Sequence, residues 1–257
     1  MLEDKKVLIT GVRNKRSAAY WIAEEVIEQG GEVVLTSPEV ERTKRAAERL
    51  PESPPVWELD VTEPETIEAT RKKVEGRWGE LDGLVHSIAY ADRECIDPDF
   101  FKADREKILE GFDISSFSLF VLARQFYPLL SGGGSIVSLS FDTEDIWPPY
   151  GWMNFFKSAL EYLTRMAAVR LGEEDIRANA ISAGTMKTLS ARGIPGFSTM
   201  ASEYEDAAPL DWDSSGSQEF VADTCAWLLS DKSRMVTGEI IHVDGGANVK
   251  SSFSLED

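Results

Sequence analysis

Cysteine and histidine are scarce in this sequence, with two of each among 257 residues. Cys95 and Cys225 lie far apart and in no CxxC pair, so neither a disulfide framework nor a zinc site is indicated. His86 and His242 add too few ligands, and we predict no metal centre. No stretch approaches the roughly 18 consecutive apolar residues of a membrane span. These absences argue against a metalloprotein and a membrane protein.

Positive charge is also scarce, because 27 Lys and Arg face 45 Asp and Glu, for a formal net charge of −18 at pH 7. A nucleic-acid partner requires a basic face against its phosphates, so this balance argues against one. The acidic balance favours solubility, as in a salty cytoplasm. The first residues enter a strand without a signal-peptide pattern, so we expect a cytoplasmic protein.

Short apolar runs alternate with longer amphipathic stretches along the whole chain, a pattern typical of a parallel sheet with crossover helices. The predicted strands are 7–10, 32–36, 56–59, 83–87, 135–140, 178–181 and 239–243. The predicted helices are 17–29, 40–50, 63–78, 103–130, 150–171 and 217–230. We therefore predict one α/β domain over residues 1–257, a Rossmann-type doubly wound fold with about seven parallel strands and helices on both faces. Residues 251–257 are expected to fray.

The turn after the first strand is a candidate cofactor site. Gly11 allows a tight turn, and Ser17 and Ala18 at the start of the next helix let its free amides approach a pyrophosphate. The segment lacks the second and third glycines of GxGxxG. An ordinary strand-to-helix turn explains it equally well.

The end of the third strand is a candidate adenine site. Asp60 is placed to accept a hydrogen bond from an adenine amino group, with Val61 against the ring. The alternative is that Asp60 caps the next helix. That alternative is weakened because Thr62 and Glu65 form a plausible capping box there.

The segments after the second and fourth strands are candidate sites for the riboses of the cofactor. Glu39, after the second strand, would repel a 2′-phosphate, whereas Arg13, Lys15 and Arg16 in the first turn could attract one. On balance the sequence favours NADH over NADPH. After the fourth strand, the small segment Ser87, Ile88 and Ala89 could run under a ribose, while His86 is predicted to be a core histidine.

Tyr150 and Lys157 are the candidate reactive pair. In a continuous helix, seven steps of roughly 100° would place both side chains on one face, about 10 Å apart along the axis. An ammonium in a partly desolvated pocket stabilises a phenolate, or an anion to which the phenol donates. The spacing arises often by chance, so the pair alone does not establish a site.

The chain after the sixth strand is a candidate lid over residues 185–215. Gly184 and Thr188 could offer backbone groups to a carboxamide such as that of nicotinamide. Long connections in compact domains are usually lids or binding loops. Four apolar residues could line a substrate pocket, with core packing as the alternative for each: Leu189, Ile194, Phe197 and Met200.

With these segments in order, the sequence resembles the short-chain dehydrogenase/reductase superfamily and, within it, the divergent enoyl-acyl-carrier-protein reductases. Ordinary members carry Tyr-x3-Lys and a three-glycine turn, whereas this chain has Tyr150-x6-Lys157 and Gly11-x5-Ser17. Phe141 stands nine residues before Tyr150. Further matches are VHSIA at 85–89, KSALE at 157–161, RANAISAG at 177–184 and VDGG at 243–246. The resemblance covers essentially the whole chain.

The resemblance implies roles for these residues. Tyr150 would donate a hydrogen bond to a thioester carbonyl, Lys157 would bind the nicotinamide ribose, and Phe141 would shape the catalytic pocket. Phe at position 141 resembles the mycobacterial type, which is associated with longer acyl chains. Thr185 stands where relatives commonly have Pro, which puts the start of the lid in doubt. The remaining implied contacts are Ile114 and Met186 to the cofactor and Tyr90 to the substrate.

The implied activity is the NADH-dependent reduction of trans-2-enoyl-acyl-carrier-protein thioesters, the last step of each fatty acid elongation cycle. Lys187 and Arg192 are the candidates for docking the acidic carrier protein, and relatives suggest a homotetramer. Two alternatives stay open. One is a superfamily member acting on a carbonyl or alcohol, and the other is a non-catalytic dinucleotide-binding sensor.

Overall fold

A computed structural model describes residues 1–130 and 132–249, so the predicted fraying of 251–257 lies outside the described residues. Its centre is a seven-stranded, wholly parallel sheet in the order β3-β2-β1-β4-β5-β6-β7. The strands are β1 Lys6–Thr10, β2 Glu32–Ser37, β3 Val56–Glu58, β4 Gly83–His86, β5 Ser135–Ser140, β6 Arg177–Ala183 and β7 Ile240–Val243. The doubly wound fold class is therefore confirmed.

Helices cover both faces of the sheet because its strands are apolar on both sides. The helices are α1 Ala18–Glu28, α2 Val40–Ala47, α3 Pro64–Trp78, α4 Arg105–Phe112, α5 Ser118–Phe126, α6 Met153–Leu171, α7 Phe197–Ala207 and α8 Gln218–Leu229. In β1, Val7 and Ile9 join the core under α1 and α8, whereas Leu8 joins the core under α3, α5 and α6. No helix in the described ranges is both long and apolar enough to cross a membrane.

The predicted long helix over 103–130 is interrupted. A π-helical turn, Asp113–Phe117, separates α4 from α5. Serines there hydrogen-bond to backbone carbonyls instead of facing solvent: Ser115 Oγ donates to the Tyr90 carbonyl at 2.6 Å and Ser116 Oγ to the Phe156 carbonyl at 2.7 Å. Such turns often occur at functional sites, and this one ties the helix to the segment after β4.

The prediction of one helix over 150–171 is wrong at its start. Tyr150 ends a short 3₁₀ turn, Pro148–Tyr150, and α6 begins only at Met153. Gly151 lies between them at φ +51°, where an added Cβ would lie 2.3 Å from the Cys95 carbonyl oxygen. The helical-spacing argument for Tyr150 and Lys157 therefore fails, because a left-handed residue breaks the helical path between them.

The candidate lid contains a helix that the sequence analysis missed. Residues 185–215 are predicted to be a long connection with no helix among the predicted ones, but α7 spans Phe197–Ala207. Met200, Ala201 and Tyr204 are its buried residues. The second and third of these residues follow the first by one and four positions, a spacing that is typical of a buried helix face. The segments on either side are rich in Gly and Pro, which favour loops and made this pattern hard to detect in the sequence.

Candidate active site

The candidate site lies at the carboxyl ends of the strands, where open α/β sheets bind ligands. Gly11 follows β1 at φ +85°, and an added Cβ would lie 1.9 Å from the Ser87 carbonyl oxygen. Any side chain at position 11 would therefore push apart the two loops that follow β1 and β4. Ser87 also donates its backbone N–H to Thr10 Oγ1 at 3.2 Å, which holds the loops together.

The start of α1 fits the pyrophosphate of a dinucleotide. Ser17 makes no side-chain hydrogen bond to the first turn of α1 in the described structure, and its hydroxyl donates to the Asn14 carbonyl at 2.6 Å instead. Free first-turn amides and the helix dipole favour an anion. Ala18 and Ala19 are buried and small, so they leave room for close approach. The residues present therefore fit the cofactor predicted from the sequence.

Asp60 and Val61 lie just after β3, both half-buried. The predicted capping box is wrong, because α3 begins at Pro64 after Glu63 and has no side-chain cap. Thr62 turns back instead and donates both its N–H and its hydroxyl to Asp60 Oδ1, at 2.9 and 2.6 Å. No side chain caps α3 in the described residues, so Asp60 does not serve as its cap, and the adenine contact stays a prediction.

Tyr150 lies in a cluster of aromatic side chains. Its ring is 5.1 Å from that of Phe141, which also contacts Trp147 at 5.7 Å and Tyr204 at 5.9 Å. Burial raises the pKa of the Tyr150 phenol well above its usual value. The phenol is therefore neutral near pH 7 and can act as a hydrogen-bond donor.

The sequence analysis missed Trp147 and Tyr204. Tyr204 comes from α7 and its hydroxyl donates to Asp244 Oδ2 at 3.4 Å, while Trp147 Nε1 donates to buried Asp142 at 3.1 Å. The candidate lid therefore packs directly against Phe141 and Trp147 through Tyr204. The helical spacing of Tyr204 was the available signal, whereas nothing local marked Trp147.

Lys157 is only 5% exposed and donates its Nζ to the Leu139 carbonyl at 2.7 Å. Because Leu139 is two residues before Phe141, this bond brings the ammonium to the strand end that carries Phe141. Burial lowers the pKa of Lys157 to about 8, against the opposing effect of the Glu161 carboxylate one turn later in α6. The ammonium therefore titrates close to the working range of many enzymes.

His86 is buried in the core, as predicted. Its Nε2 is 2.8 Å from Ser118 Oγ, and the Ser118 hydroxyl donates to the Ile114 carbonyl. Nδ1 has no hydrogen-bond partner among the described residues. Burial, and then the charge of Lys157, lower the pKa of His86 to about 3, so the ring is neutral and is not an acid at pH 7.

The segment after β6 forms the base of the candidate lid. Gly184 packs against the Trp212 indole, where an added Cβ would lie 2.6 Å from the ring. Trp212 Nε1 donates to the Thr185 carbonyl at 2.9 Å, and Thr185 Oγ1 is 2.8 Å from Ser214 Oγ. Thr185, the departure from the family pattern, is thus held by two lid residues. Met186 packs against the core under α1 and α8.

The predicted substrate-contacting residues separate into three groups. Met200 is 4% exposed and lies in the core, so it fits the packing alternative, and Phe197 packs against the same core. Ile194 packs on a separate small cluster with Ile96 and Met153. Leu189 and Tyr90 are exposed, at 40% and 39%.

The remaining predicted contacts are to the cofactor. Ile88 is half-buried and Ala89 is exposed, and both follow the end of β4. Ile114 lies in the π-helical turn, and the Thr188 hydroxyl, beyond the end of β6, accepts from the Ala191 N–H.

A cavity of about 790 Å³ lies between the turn after β1 and the candidate lid. Four exposed cations line it: Lys15, Arg16, Lys187 and Arg192. Lys187 also pairs with Glu205 at 3.4 Å. The buried Gln218 Oε1 has no hydrogen-bond partner in the described ranges and lines the same cavity. In this strongly acidic chain the cavity is a local basic surface.

The parallel sheet, the glycine turn with its free helix amides and the Tyr150 and Lys157 side chains define an oxidoreductase fold of the short-chain dehydrogenase/reductase type. The chain belongs to the enoyl-(acyl carrier protein) reductase family, whose profile matches residues 11–248.

Three curated relatives extend over nearly the whole chain. An enoyl-[acyl-carrier-protein] reductase [NADH] FabI of Aquifex aeolicus (strain VF5) is 38% identical over 261 residues, covering 100% of this chain and 96% of that protein. The enoyl-[acyl-carrier-protein] reductase [NADH] of Mycobacterium avium is 36% identical over 264 residues, covering 97% and 98%. An enoyl-[acyl-carrier-protein] reductase [NADPH] FabI of Staphylococcus aureus (strain MRSA252) is 38% identical over 252 residues, covering 95% and 97%.

Proposed function

We propose that this chain reduces trans-2-enoyl thioesters of acyl carrier protein with NADH, the last step of fatty acid elongation. Two contacts in a chain of this family carry the proposal: Tyr150 packs on Phe141, which follows β5, and Lys157 donates to the Leu139 carbonyl within β5. The NADH-dependent relatives support the choice of cofactor. Nothing in the site favours the alternative carbonyl reductase or sensor.

Each site residue would have a separate role in the reaction. When bound, NADH supplies a hydride for the β-carbon of the enoyl group. The neutral Tyr150 phenol donates a hydrogen bond to the thioester oxygen as enolate charge develops there, and a proton from solvent then adds to the α-carbon to give the saturated thioester. The Lys157 ammonium would bind the nicotinamide ribose hydroxyls. Phe141, an apolar ring 5.1 Å from Tyr150, excludes water from the reacting face.

Proposed contacts to the cofactor follow from the same strand ends. Gly11, Ser17 and Ala18 would hold the pyrophosphate, and Asp60 with Val61 the adenine. Residues 87–89 and Ile114 would lie under the ribose and nicotinamide, with Gly184, Met186 and Thr188 at the carboxamide. Residues 185–215, including α7, would form the lid over the acyl chain, and Phe at position 141 supports a preference for longer chains.

We infer that the acidic carrier protein docks at the basic cavity. Lys187 and Arg192 come from the candidate lid, and Lys15 and Arg16 from the turn after β1, so both sides of the cavity carry positive charge. Opposite charges steer association and raise its rate. The remaining surface of a chain with net charge −18 would repel an acidic partner.

We also propose assembly into a homotetramer through an exposed apolar face. On α6, Phe155, Tyr162, Met166 and Val169 are 52 to 80% exposed and share one side of the helix. Phe117 and Phe120, from the neighbouring π-helical turn and α5, are exposed as well. Exposed aromatic and methionine side chains are typical of the core of a protein–protein interface.

A cytoplasmic location is part of the same proposal. Cys95 and Cys225 are both free and buried. Free thiols fit a reducing compartment, and cell fractionation would test the location.

The proposed reaction is tested by the loss of NADH absorbance with crotonyl and dodecenoyl thioesters, on carrier protein and on coenzyme A. We expect turnover with both acyl groups, faster with dodecenoyl, and roughly 100-fold slower turnover for Tyr150→Phe with NADH affinity kept. Equal turnover of Tyr150→Phe and the unchanged chain would refute the role of Tyr150. Reduction of ketones instead of enoyl thioesters would favour the carbonyl alternative.

The same assay tests the docking surface. Lys187→Glu with Arg192→Glu should raise KM for the carrier-bound substrate by roughly tenfold, with a smaller effect on the coenzyme A thioester. Lys44→Glu with Lys72→Glu, two charge reversals at exposed lysines of α2 and α3 outside the cavity, is the matched control. Unchanged KM for both substrates in the double variant would contradict docking at this cavity.

A further inference from the structure

One asparagine side chain holds both ends of the turn that carries Tyr150. Asn154, the second residue of α6, is only 7% exposed. Its Oδ1 accepts from the Trp147 N–H at 3.1 Å, and its Nδ2 donates to the Trp147 carbonyl at 3.0 Å and to the Gly151 carbonyl at 2.8 Å. Because Trp147 precedes the 3₁₀ turn Pro148–Tyr150 and Gly151 follows it, this one amide spans the turn.

The bonding pattern of Asn154 requires an amide. Both N–H groups of its side chain donate to carbonyls, and its oxygen accepts from a backbone N–H. A carboxylate at this position would place an acceptor opposite the two carbonyl oxygens. An apolar side chain would remove all three bonds and leave the Trp147 N–H without a partner among the described residues, which costs free energy in a buried place. The side chain therefore fixes the path of the turn and does more than fill space.

The position of the Tyr150 phenol depends on this turn. Burial alone raises its pKa, and no described residue hydrogen-bonds to its hydroxyl. The ring is held by packing on Phe141 at 5.1 Å. The Tyr150 N–H donates at 2.9 Å to the Trp147 carbonyl, the same oxygen that Asn154 contacts. The Trp147 ring also packs on Phe141, at 5.7 Å, so a shift of the Trp147 backbone would disturb the phenol from two sides.

We propose that Asn154 is a positioning residue for the proposed reaction: it fixes the turn Pro148–Tyr150 so that the Tyr150 phenol lies where it can donate to the thioester oxygen. The inference rests on the proposed function and on the role of Tyr150 in it. Asn154 acts through the backbone of Trp147 and Gly151. The placement matters because a misplacement of about 1 Å in an active site can cost roughly 100-fold in rate.

The test is a double-mutant cycle between Asn154→Ala and Tyr150→Phe. The unchanged chain, the two single variants and the double variant are assayed for kcat with NADH and a dodecenoyl thioester, and calorimetry gives the NADH affinity of each. Two changes that act independently multiply their effects on kcat. If Asn154 acts through the phenol, its loss has little left to affect once the hydroxyl is absent.

We expect Asn154→Ala to lower kcat by roughly tenfold or more in the unchanged chain, but by less than about threefold in the Tyr150→Phe background. The dissociation constant of NADH should change by less than about twofold in either background. Asn154→Ser should cost less than Asn154→Ala, because a serine hydroxyl in a helix can still donate to the Gly151 carbonyl three residues earlier.

Asn179→Ala is the matched control. Asn179 is a fully buried asparagine of β6 that holds another backbone segment in the same way. Its Oδ1 accepts from the Glu239 N–H at 3.1 Å, and its Nδ2 donates to the Val236 carbonyl at 2.9 Å. Its loss should lower the midpoint of urea unfolding, but any change in kcat should be the same factor with and without the Tyr150 hydroxyl.

An equal fall in kcat in both backgrounds, or no fall in either, would overturn the inference. If Asn154→Ala does not fold, Asn154→Ser enters the same cycle and must likewise lose its effect in the Tyr150→Phe background. Failure of the proposed function gives a different result, because the unchanged chain would then reduce no enoyl thioester, and that outcome would overturn both.

Discussion

At the scale of single residues, Lys157 depends on a neighbour that the sequence analysis did not assign. Glu161 is 4% exposed, and its two oxygens accept from Ser140 Oγ and Thr143 Oγ1, each at 2.7 Å. Lys157 donates to the Leu139 carbonyl. Two side chains one turn apart on α6 thus hold the strand end on both sides of Phe141.

Glu161→Gln should move the pH dependence of the reaction. Lys157 is needed as an ammonium, so activity should fall as pH rises through its pKa of about 8. The Glu161 charge raises that pKa, so its loss should move the basic limb of kcat/KM to lower pH. The amide keeps the side-chain size, and the measurement is kcat/KM from pH 6 to 9.5.

The control for Glu161→Gln is chosen from the charged groups around Lys157 and Glu161. Lys157 also faces the neutral His86. Glu161 lines a cavity of about 330 Å³ with Arg165, Glu144, Glu239 and His242. Glu144→Gln removes an exposed carboxylate of the same cavity and should leave the profile in place. A Glu161→Gln profile that coincides with that of the unchanged chain would show that Lys157 does not depend on Glu161.

At the scale of elements, the start of α6 decides where the reactive phenol lies. Gly151, at φ +51° and ψ −132°, ends the turn that carries Tyr150, and Trp152 donates its N–H to the Cys95 carbonyl at 2.7 Å. The break places Tyr150 against Phe141 while Lys157 follows within α6. A continuous helix would not have produced this arrangement.

Gly151→Ala should therefore harm both stability and turnover. The Cβ would lie 2.3 Å from the Cys95 carbonyl oxygen in a backbone conformation that only glycine adopts readily. We expect a loss of roughly 1–3 kcal/mol in the free energy of unfolding, measured with urea, and a lower kcat as Tyr150 is displaced. Gly172→Ala, after the end of the same helix with no atom within 4 Å of the added Cβ, is the control. Full activity and stability of Gly151→Ala would show that the turn tolerates the strain.

At the scale of the whole molecule, the surface has acidic, basic and apolar regions. Acidic residues dominate overall, the basic cavity lies beside the candidate lid, and α5 and α6 expose apolar rings. Copies of a strongly acidic chain repel one another, which keeps them apart unless an attractive surface offsets this repulsion. The apolar face is the surface that can do so.

Met166→Glu with Val169→Glu should disrupt assembly. We expect light scattering to give four times the 28.6 kDa chain mass for the unchanged protein and a smaller species for the double variant, because charges in an apolar interface lose their hydration. Met235→Glu, at a residue 90% exposed outside this face, is the control. A tetramer in the double variant would mean that subunits meet elsewhere, and a monomeric unchanged chain would contradict the assembly itself.

The sequence by itself determined the seven strands, most of the helices, the doubly wound fold and the family. These depend on apolar periodicity and on short motifs at strand ends, which are local properties of the chain. It also proposed Gly11, Tyr150 and Lys157 as site residues before any contact was known. Beyond that point it was wrong about the continuous helix through Tyr150 and the capping box at Thr62, and it missed α7.

Only the tertiary structure decided how the candidate site is held together. The close approach of Gly11 to Ser87, the bonds of Lys157 and Glu161 to the end of β5, and the pairing of Glu39 with Arg13 each join residues far apart in sequence. Trp147 and Tyr204 reach Phe141 for the same reason. The energies of such contacts depend on distance and burial, which no local pattern specifies, so the composition of the site followed from the fold and not from its motifs alone.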